Sequence, residues 1–451
     1  MLSSPLNAAP SPSSAPKPLS LGVIFLTLYI DLIGFSIFFP LGPALLEYYV
    51  KHESRGGLFG SLVNHLQGLA HAAHASDLAT GALFAGALGS LYSLMQFLFS
   101  PIWGSYSDRL GRRRVLLLTI AGNAFSYLMF FFSGSFTLFL LSRLLGGIMG
   151  GNLAVAVAAV SDVTSRENRA KGMGIVGVAF GLGFLTGPVI GGLTAHLNLL
   201  DRWPGLAALG VHPFSVPAAI AFGLCLINLI WSTARFQETL PPGRRGAVHS
   251  VRERNPLHAL FRQPDPGIRR SNVICFVLTF GFSFFESIIS FFTADALHYT
   301  PRDLTLIFIT LGLVSIFTQG FLARRYVHAI GERRAAIGGM TLVALGFAGI
   351  GLAVGVFRSA PLLYAALTLN AVGSGFANIS LSALISLYAK PEEQGKVIGI
   401  YRSLSFLARA LSPAVAGLLF FNSGGTVTFA TASVILAVAA LLGLGLPPPH
   451  R

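Results

Sequence analysis

Long apolar runs recur along the whole chain, and this pattern constrains the fold more than any other feature. Each run is about twenty residues long, the length that an α-helix needs to cross the hydrocarbon core of a bilayer. Only 11% of the 451 residues are charged, which excludes an ordinary soluble protein. The sequence therefore predicts an all-α membrane protein with twelve transmembrane helices, spans 1 to 12, at 21–40, 78–103, 115–132, 136–160, 172–194, 215–231, 273–294, 304–322, 335–357, 362–388, 397–420 and 427–446.

The basic residues are distributed as a membrane topology requires. The net charge of +14 would suggest nucleic-acid binding in a soluble protein. Here, 23 of the 31 Lys and Arg residues lie in the tails and loops on one side of the predicted spans, 5 lie on the other side and 3 lie within spans. Because loops rich in Lys and Arg stay in the cytoplasm, we expect both termini to be cytoplasmic. The expected location is a bacterial inner membrane or another plasma membrane, with the lipid bilayer as surroundings and no nucleic-acid partner.

The chain divides into two similar halves. The sequence GSYSDRLGRRR begins at Gly104 after span 2, and GFLARRYVHAIGERR begins at Gly320 after span 8. Two pseudo-symmetric six-helix halves with a substrate site between them are one arrangement of secondary transporters. The predicted parts are a disordered cytoplasmic tail, an N-terminal six-helix half, a cytoplasmic linker rich in Arg and Pro, a C-terminal six-helix half and a second tail, at 1–20, 21–234, 235–271, 272–446 and 447–451.

The sequence contains no convincing metal or redox site. The predicted outer loop at 41–77 carries four histidines, but their irregular spacing, without Cys or a carboxylate pair, favours a solvated loop over a metal site. Cys225 and Cys275 lie inside apolar runs and are expected to be inert buried thiols. We therefore expect no metal and no cofactor. The four histidines are His52, His65, His71 and His74.

The basic turn after span 2 carries a family resemblance. Its residues match the G-x-x-x-D-R-x-G-R-R signature of the major facilitator superfamily. The segment GLGFLTGPVIGG in span 5 looks like the antiporter motif of the twelve-span drug/proton branch, and LYSLMQF, SRLLGGIMGG and SDVTSRENRAKGMG are similar to the tetracycline-efflux group. The resemblance implies a major facilitator fold and proton-coupled antiport that exports small amphiphilic or drug-like compounds by alternating access. The matching residues of the signature are Gly104, Asp108, Arg109, Gly111, Arg112 and Arg113.

The resemblance also implies a conformational latch. Asp108, Arg112 and Asp162 would form a network that holds the outward-facing state from the cytoplasmic side. On physical grounds, Gly111 allows a tight turn with positive φ, and Arg112 can form a forked pair with a carboxylate. The alternative is a plain cytoplasmic loop with solvated charges.

Span 5 carries a regular series of glycines. Gly183, Gly187 and Gly191 repeat every fourth residue, so they share one helix face on which another helix can approach closely. Pro188 removes a helix hydrogen bond and can bend that face. With Gly192 these residues form the antiporter motif, and the resemblance points to a seal between the halves. Ordinary helix packing is the alternative.

Ionisable residues inside the spans are the strongest functional signal. Because a charge at the centre of a bilayer costs about 3 kcal/mol, Asp31, Arg143, Glu286, Arg402 and Arg409 must face protein or water. Asp31 resembles the span-1 acid of drug/proton antiporters, and we expect it to carry a proton with Arg143 as its counter-charge. The alternative is a static buried ion pair. Glu286 is predicted to be a second proton or cation site.

Two arginines in span 11 point to the substrate. Arg402 and Arg409 are seven residues apart and share a helix face. Arg409 is predicted to bind an anionic group of the substrate, or else to pair with Glu286 and serve folding only. Arg402 is either a second substrate residue or a side chain that extends to the cytoplasmic surface. The other candidate substrate-binding residues are Gln96, Gln319 and Asn378.

The sequence thus predicts a transporter, with protons and a small-molecule substrate as partners and a monomeric state. The first hypothesis is a proton-coupled antiporter. The alternative, favoured by the arginines of span 11, is an organic-anion transporter that works as a uniporter or a proton symporter. An enzyme within the membrane would need a nucleophile and a base, or clustered metal ligands, at membrane depth. The sequence shows no such cluster, so an enzyme is not expected.

Overall fold

The computed structural model describes residues 19–52, 60, 77–164, 169–240, 265–389 and 394–448. In these residues the chain forms α-helices joined by short turns and 3-10 segments, with no β-strand. The helices are α1 (Leu19–Ser36), α2 (Gly42–His52), α3 (Asp77–Leu110), α4 (Arg112–Phe131), α5 (Phe136–Met149), α6 (Leu153–Val163), α7 (Arg169–Thr194), α8 (Ser215–Arg235), α9 (Pro266–Leu297), α10 (Pro301–Phe317), α11 (Ala323–Ile330), α12 (Glu332–Gly355), α13 (Ala360–Tyr388) and α14 (Gln394–Leu444).

These helices give twelve membrane crossings. Among the described residues, 10 segments are long and apolar enough to cross a membrane. One of them, Ser403–Leu444, contains two crossings, because the chain leaves helical geometry at Gly424, where φ is 76° and ψ is 173°. Helix α7, with 26 residues, supplies the remaining crossing. The predicted all-α fold with twelve transmembrane helices is confirmed.

The first span is longer than predicted. The chain continues from α1 through a 3-10 turn at Phe39–Leu41 into α2, which ends at His52. The prediction of a loop from residue 41 is therefore wrong for residues 41–52. In this segment His52 Nδ1 lies 2.9 Å from the Tyr48 carbonyl oxygen. The remaining loop histidines, at 65, 71 and 74, lie outside the described residues.

Helix α2 is anchored to the N-terminal half by buried polar contacts. The hydroxyl of Tyr49 donates to the carbonyl oxygen of Ser133 at 2.7 Å. Nearby, the fully buried His212 accepts a hydrogen bond from the Phe214 backbone N–H at its Nδ1, so its Nε2 carries the proton and lies 3.1 Å from the Phe130 carbonyl. Burial lowers the pKa of His212 to about 4, so the ring is neutral at pH 7. This anchoring fixes the chain where span 1 passes the cavity described below.

Two other spans depart from a plain helix. Span 4 is divided by a 3-10 turn at Gly150–Asn152, which separates α5 from α6. Span 8 ends in a π-helical segment, Thr318–Leu322. In the predicted linker, the side chain of Asp265 caps α9 by accepting from the Ile268 backbone N–H at 3.0 Å, so residues 266–271 are helical. Residues 241–264 of that linker lie outside the described residues.

Each half has its own apolar core, and the two repeat one turn. Val115, Leu116 and Ile120 belong to a buried cluster of the N-terminal half, whereas a larger cluster fills the C-terminal half. Gly111 has a φ of 98° between the second and third spans of the first half, and Gly331 has a φ of 90° at the equivalent position of the second. The repeat seen in the sequence is thus a structural one. We call the end of the bundle that carries these two turns the arginine-rich end.

The halves touch each other at the opposite end. A Cβ at Gly89 would lie 3.5 Å from the side chain of Pro413 in span 11. The hydroxyl of Ser90 in span 2 accepts a hydrogen bond from the Ala414 backbone N–H at 2.8 Å. The hydroxyl of Ser290 in span 7 donates to the carbonyl oxygen of Phe39 at 2.9 Å. Gly89, Pro413 and Phe39 also line the larger of the two cavities described below, so these contacts join the halves at the wall of that cavity.

Candidate functional site: charged cavities between the halves

Two adjacent cavities lie between the halves. The larger is lined by Arg143 from the first half and by Ser283 and Glu286 from the second. The smaller is lined by Asp31, among other residues. Arg409 lines both cavities. Four of the five predicted intramembrane charges therefore meet here, while the side chain of the fifth, Arg402, lies outside the described residues.

Asp31 is held by two amides. The side-chain amide of Asn123 in span 3 donates to its Oδ1 at 3.1 Å, and that of Asn152 donates to its Oδ2 at 2.5 Å. Asn152 reaches the carboxyl group because the 3-10 turn in span 4 ends at this residue. Asp31 and Arg143 do not form the expected ion pair. The prediction that Arg143 contacts and neutralises the Asp31 carboxylate is therefore wrong. The sequence analysis overlooked both asparagines, although each is a polar residue within an apolar span.

Arg143 is enclosed by aromatic rings. Its guanidinium carbon lies 4.6 Å from the centre of the Tyr92 ring and 5.4 Å from that of Phe38. Only 8% of the residue is exposed. Within the described part of the chain it makes no ion pair and no hydrogen bond. Arg143 is thus a buried cation that faces the larger cavity without a carboxylate.

In the C-terminal half, the two described charges of the cavities form a direct ion pair. Arg409 Nη1 lies 2.8 Å from Glu286 Oε2, and both side chains are largely buried. The guanidinium carbon of Arg409 also lies 4.6 Å from the centre of the Phe184 ring in span 5. This geometry matches the alternative considered for Arg409, in which Glu286 is its partner.

The three predicted neutral substrate residues lie in different places. Gln96 lines the smaller cavity, and its amide donates to the Gly150 carbonyl oxygen at 3.0 Å. Gln319 lies in the π-helical segment beside Gly181, and Asn378 is exposed. Neither Gln319 nor Asn378 lines the two cavities, so the structure does not place them at the candidate site.

The predicted network at the arginine-rich end is present. Arg112 Nη1 lies 2.6 Å from Asp108 Oδ1, and Arg112 Nε lies 3.0 Å from Asp162 Oδ2. Arg112 Nη1 also donates to the Ser107 hydroxyl at 2.5 Å. Burial raises the pKa of the Asp162 carboxyl, and the charge of Arg112 opposes that change.

Glu238 completes this network, and the sequence analysis overlooked it. Its carboxylate accepts from the backbone N–H groups of Arg112 at 2.8 Å and Arg113 at 3.3 Å, at the start of α4. The side chain of Arg113 donates to the carbonyl oxygens of Phe236 at 2.8 Å and Thr233 at 2.7 Å. The end of span 6 is therefore bound to the basic turn. The sequence contains no local signal for this contact, because Glu238 lies 126 residues after Arg112.

The remaining signature residues have separate places. Gly104 is buried, and its carbonyl oxygen accepts from the Ser107 hydroxyl at 2.7 Å. Arg109 is exposed on the last turn of α3. Neither contributes a side chain to the network around Arg112.

The glycine face of span 5 packs against span 1 of the same half. A Cβ at Gly183 would lie 3.0 Å from the Tyr29 carbonyl oxygen, and one at Gly187 would lie 2.6 Å from that of Ile33. A side chain at Gly191 would overlap the Ile37 backbone. The face therefore serves helix packing within one half, and the expected seal between halves does not describe these three glycines.

The other two residues of the motif differ from that series. Gly192 approaches the second half, since a Cβ there would lie 2.9 Å from the Pro301 carbonyl oxygen. Pro188 lies buried inside α7. Of the four motif glycines, Gly192 is thus the one at which a Cβ would meet the other half.

A bundle of two six-helix halves with charged cavities between them is the architecture of a secondary transporter. The sequence model of the Major Facilitator Superfamily matches residues 24–357 and 272–451 of this chain. The human major facilitator superfamily domain-containing protein 10 is 33% identical over 423 residues, which cover 91% of this chain and 89% of that protein. The chain therefore belongs to the major facilitator superfamily, and it is a membrane transporter rather than an enzyme.

Solved structures and more distant relatives agree with this assignment. The crystal structure of the human organic anion transporter MFSD10 (TETRAN) has a TM-score of 0.75 and 32% identity, and the match covers 95% of this chain and all of that one (100%). The class B tetracycline resistance protein of Escherichia coli is 26% identical over 400 residues, which cover 87% of this chain and 86% of that protein. The xylose transporter XylE of E. coli, at 14% identity and a TM-score of 0.67, shares the fold.

Proposed function

We propose that this chain is a proton-coupled transporter of small amphiphilic organic anions. The observation that carries the proposal is Arg143, a buried guanidinium that faces a cavity and has no carboxylate partner among the described residues. A buried charge is costly unless an opposite charge or hydrogen bonds compensate it, and aromatic rings compensate only part of that cost. An anionic substrate would complete the compensation. The similarity to the human organic anion transporter MFSD10 supports this substrate class.

Asp31 is the proposed proton site. Its hydrogen bonds come from neutral amides, so the carboxyl group can gain or lose a proton without breaking an ion pair. Protonation removes one negative charge from the neighbourhood of the larger cavity and thereby strengthens the attraction of Arg143 for an anion. Since proton and anion then favour each other's binding, this arrangement supports transport of both in the same direction.

A second candidate function is proton-driven export of drug-like compounds. It is supported by the antiporter motif in span 5 and by the similarity to tetracycline resistance proteins. Antiport requires that the proton and the substrate compete, as they would if a cationic substrate bound close to the ionised Asp31. The two candidate functions therefore differ in the sign of the coupling between proton and substrate.

The proposed orientation follows from charge. The arginine-rich end would face the cytoplasm together with both termini, because 23 basic residues lie on that side of the predicted spans. The network around Arg112 would then act on the cytoplasmic side, and the contacts between Ser90 and Ala414 would close the outer side.

Flux into proteoliposomes tests the proposal. The substrates are an arylalkyl sulfonate, its neutral sulfonamide and the matching amine, each measured with a pH gradient in either direction and with none. The sulfonate stays ionised, so it does not cross the bilayer as a neutral acid. We expect the sulfonate to accumulate in the compartment towards which protons flow. Accumulation against the proton flow would support antiport, whereas preference for the amine, or flux that ignores the gradient, would overturn the proposal.

A further inference from the structure

The two described arginines that face the larger cavity are not equivalent. Arg409 is compensated, because Glu286 bonds to it at 2.8 Å. Arg143 has rings for neighbours instead of a carboxylate. An incoming anion therefore finds an uncompensated charge at Arg143, whereas at Arg409 it would have to compete with Glu286. The cavity wall of the first half is the more favourable place for an acidic group.

A second unsatisfied group lies on the facing wall. Ser283 in span 7 lines the same cavity and is 1% exposed, yet its hydroxyl has no hydrogen-bond partner among the described residues. Its neighbour does not satisfy it, because the Ser287 hydroxyl donates to the Ser283 carbonyl oxygen at 2.9 Å. Buried hydroxyl groups normally have partners. Ser283 is therefore available to donate to a ligand oxygen.

The rest of the larger cavity is suited to an apolar body. Its walls carry several aromatic rings from both halves. A few polar groups on a largely apolar wall is the usual composition of such a site. The rings belong to Phe35, Phe38, Phe39, Phe139 and Phe291.

We propose that Arg143 and Ser283 together bind the acidic group of a small aryl anion, a carboxylate or sulfonate whose apolar body lies against these phenylalanines. One residue comes from each half, so the bound anion links the two halves. The Glu286–Arg409 pair forms a neutral wall of the same cavity and does not bind the acidic group. This inference rests on the proposed function, and it differs from the sequence-based expectation that Arg409 binds the anion.

Binding to the purified full-length protein in detergent tests the assignment without any gradient. An arylalkyl sulfonate and its neutral sulfonamide are titrated by calorimetry against the wild type and against Arg143→Gln, Arg143→Lys and Ser283→Ala. We expect Arg143→Gln to weaken sulfonate binding about 10- to 100-fold, the loss expected for a charge-assisted hydrogen bond. Sulfonamide binding should change by less than about threefold, because the amide does not use the positive charge. Arg143→Lys should retain part of the affinity. It keeps the positive charge but loses the planar guanidinium group, which stacks on the rings and donates two parallel hydrogen bonds.

Two further variants make the outcome specific. Arg202→Gln removes an exposed arginine far from the cavity and is the matched control for charge. The double variant Glu286→Gln/Arg409→Gln removes the ion pair as a unit and should alter sulfonate and sulfonamide binding by similar factors. A sulfonate-specific loss in the double variant, with sulfonate binding retained in Arg143→Gln, would overturn the assignment. If Arg143→Gln does not fold, Ser283→Ala decides, because equal losses for both ligands in that variant would also overturn it.

The binding and flux measurements test the anion subsite and the proposed proton coupling separately. Sulfonate-selective binding that depends on Arg143, combined with flux that ignores the pH gradient, would reject the proposed proton coupling and leave the subsite in place. Gradient-driven sulfonate flux that is insensitive to Arg143→Gln would reject the subsite and leave the proposed function in place.

Discussion

The two halves hold their intramembrane charges in different ways. In the first half, amides hold Asp31 and aromatic rings enclose Arg143, so neither charge is fixed by the other. In the second half, Glu286 and Arg409 bond directly to each other. A direct ion pair resists any change in the charge of one member, because the other would be left uncompensated. The comparison therefore indicates that the first half is the one able to bind and release charged species.

The turns at the arginine-rich end show the same asymmetry. Gly111 and Gly331 have nearly the same backbone geometry. In the first half the carboxylate of Glu238 fills the space beside the turn, whereas a Cβ at Gly331 would meet no atom of the described residues within 4 Å. The repeat thus preserves the turn, and Glu238 lies beside the first of the two turns.

The largest expected effect comes from Asp31→Asn. The substitution removes the titratable charge, while the new amide oxygen can still accept from Asn123 or Asn152. We expect gradient-driven accumulation in proteoliposomes to fall to the level of protein-free liposomes, while substrate exchange without a gradient continues. Normal yield and chromatographic behaviour of the purified variant serve as the control for folding. Full gradient-driven accumulation by Asp31→Asn would remove this residue from the coupling mechanism.

The second prediction contrasts the charges of the two halves through stability. Glu286→Gln leaves Arg409 buried without its partner, and this should destabilise the protein by about 3–5 kcal/mol. The double variant with Arg409→Gln should recover most of that loss. Arg143→Gln should cost less than about 1 kcal/mol, because it breaks no ion pair or hydrogen bond within the described part of the chain.

Apparent melting temperatures of the purified variants in detergent measure this contrast. The exposed Arg202→Gln is the matched control for the loss of a guanidinium group. If Arg143→Gln lowers the melting temperature as much as Glu286→Gln does, then Arg143 is compensated within the protein and the contrast between the halves is wrong.

The third prediction concerns the network at the arginine-rich end. Arg112→Ala releases Asp108 and Asp162 together and should shift the equilibrium towards forms open at this end, by about 1–3 kcal/mol. The matched variant in the second half is Arg333→Ala, which removes a hydrogen bond to the Leu444 carbonyl oxygen. It should shift the equilibrium less.

Labelling of a cysteine placed at Gln96, in a background without Cys225 and Cys275, reports access to the smaller cavity. We expect faster labelling from the arginine-rich end in Arg112→Ala than in Arg333→Ala. Because burial raises the pKa of Asp162, lowering the pH should protonate it earlier than an exposed aspartate, and labelling of the wild type should approach that of Asp162→Asn. Equal labelling rates in all of these proteins would show that the network does not bias the equilibrium.

The sequence was sufficient to predict the spans and the local network. Apolar length and the distribution of basic residues determine the crossings, and a separation of four residues across the turn at Gly111 brings Asp108 close to Arg112. The glycine face of span 5 was also predictable as a close-packing surface. Its partner was not, because the spacing of Gly183, Gly187 and Gly191 defines a face but contains no information about which helix lies against it.

The residues that contact Asp31 and Arg143 in the cavities could not be predicted from the sequence, for a related reason. An intramembrane acid and base suggest an ion pair, but contact depends on the relative rotation and break points of the helices. The 3-10 turn at Gly150–Asn152 directs Asn152 towards Asp31, and Phe38 lies over Arg143 where α1 gives way to the 3-10 turn at Phe39–Leu41. Both features are tertiary in origin, and neither has a periodic signal in the sequence.

The smallest expected effect compares the two glycine turns directly. At both positions the backbone lies in a region that is open essentially to glycine alone, so Gly111→Ala and Gly331→Ala should each cost about 1–3 kcal/mol in strain. At Gly111 the new methyl group would also overlap the carboxylate of Glu238 and displace it from the N–H groups of Arg112 and Arg113. We therefore expect Gly111→Ala to lower stability by about 1 kcal/mol more than Gly331→Ala, the usual contribution of one hydrogen bond. Melting temperatures of both variants, measured again in a Glu238→Ala background, isolate this difference, which should disappear once the carboxylate is gone. A difference that persists in that background, or equal losses in the wild-type background, would show that Glu238 does not distinguish the two turns.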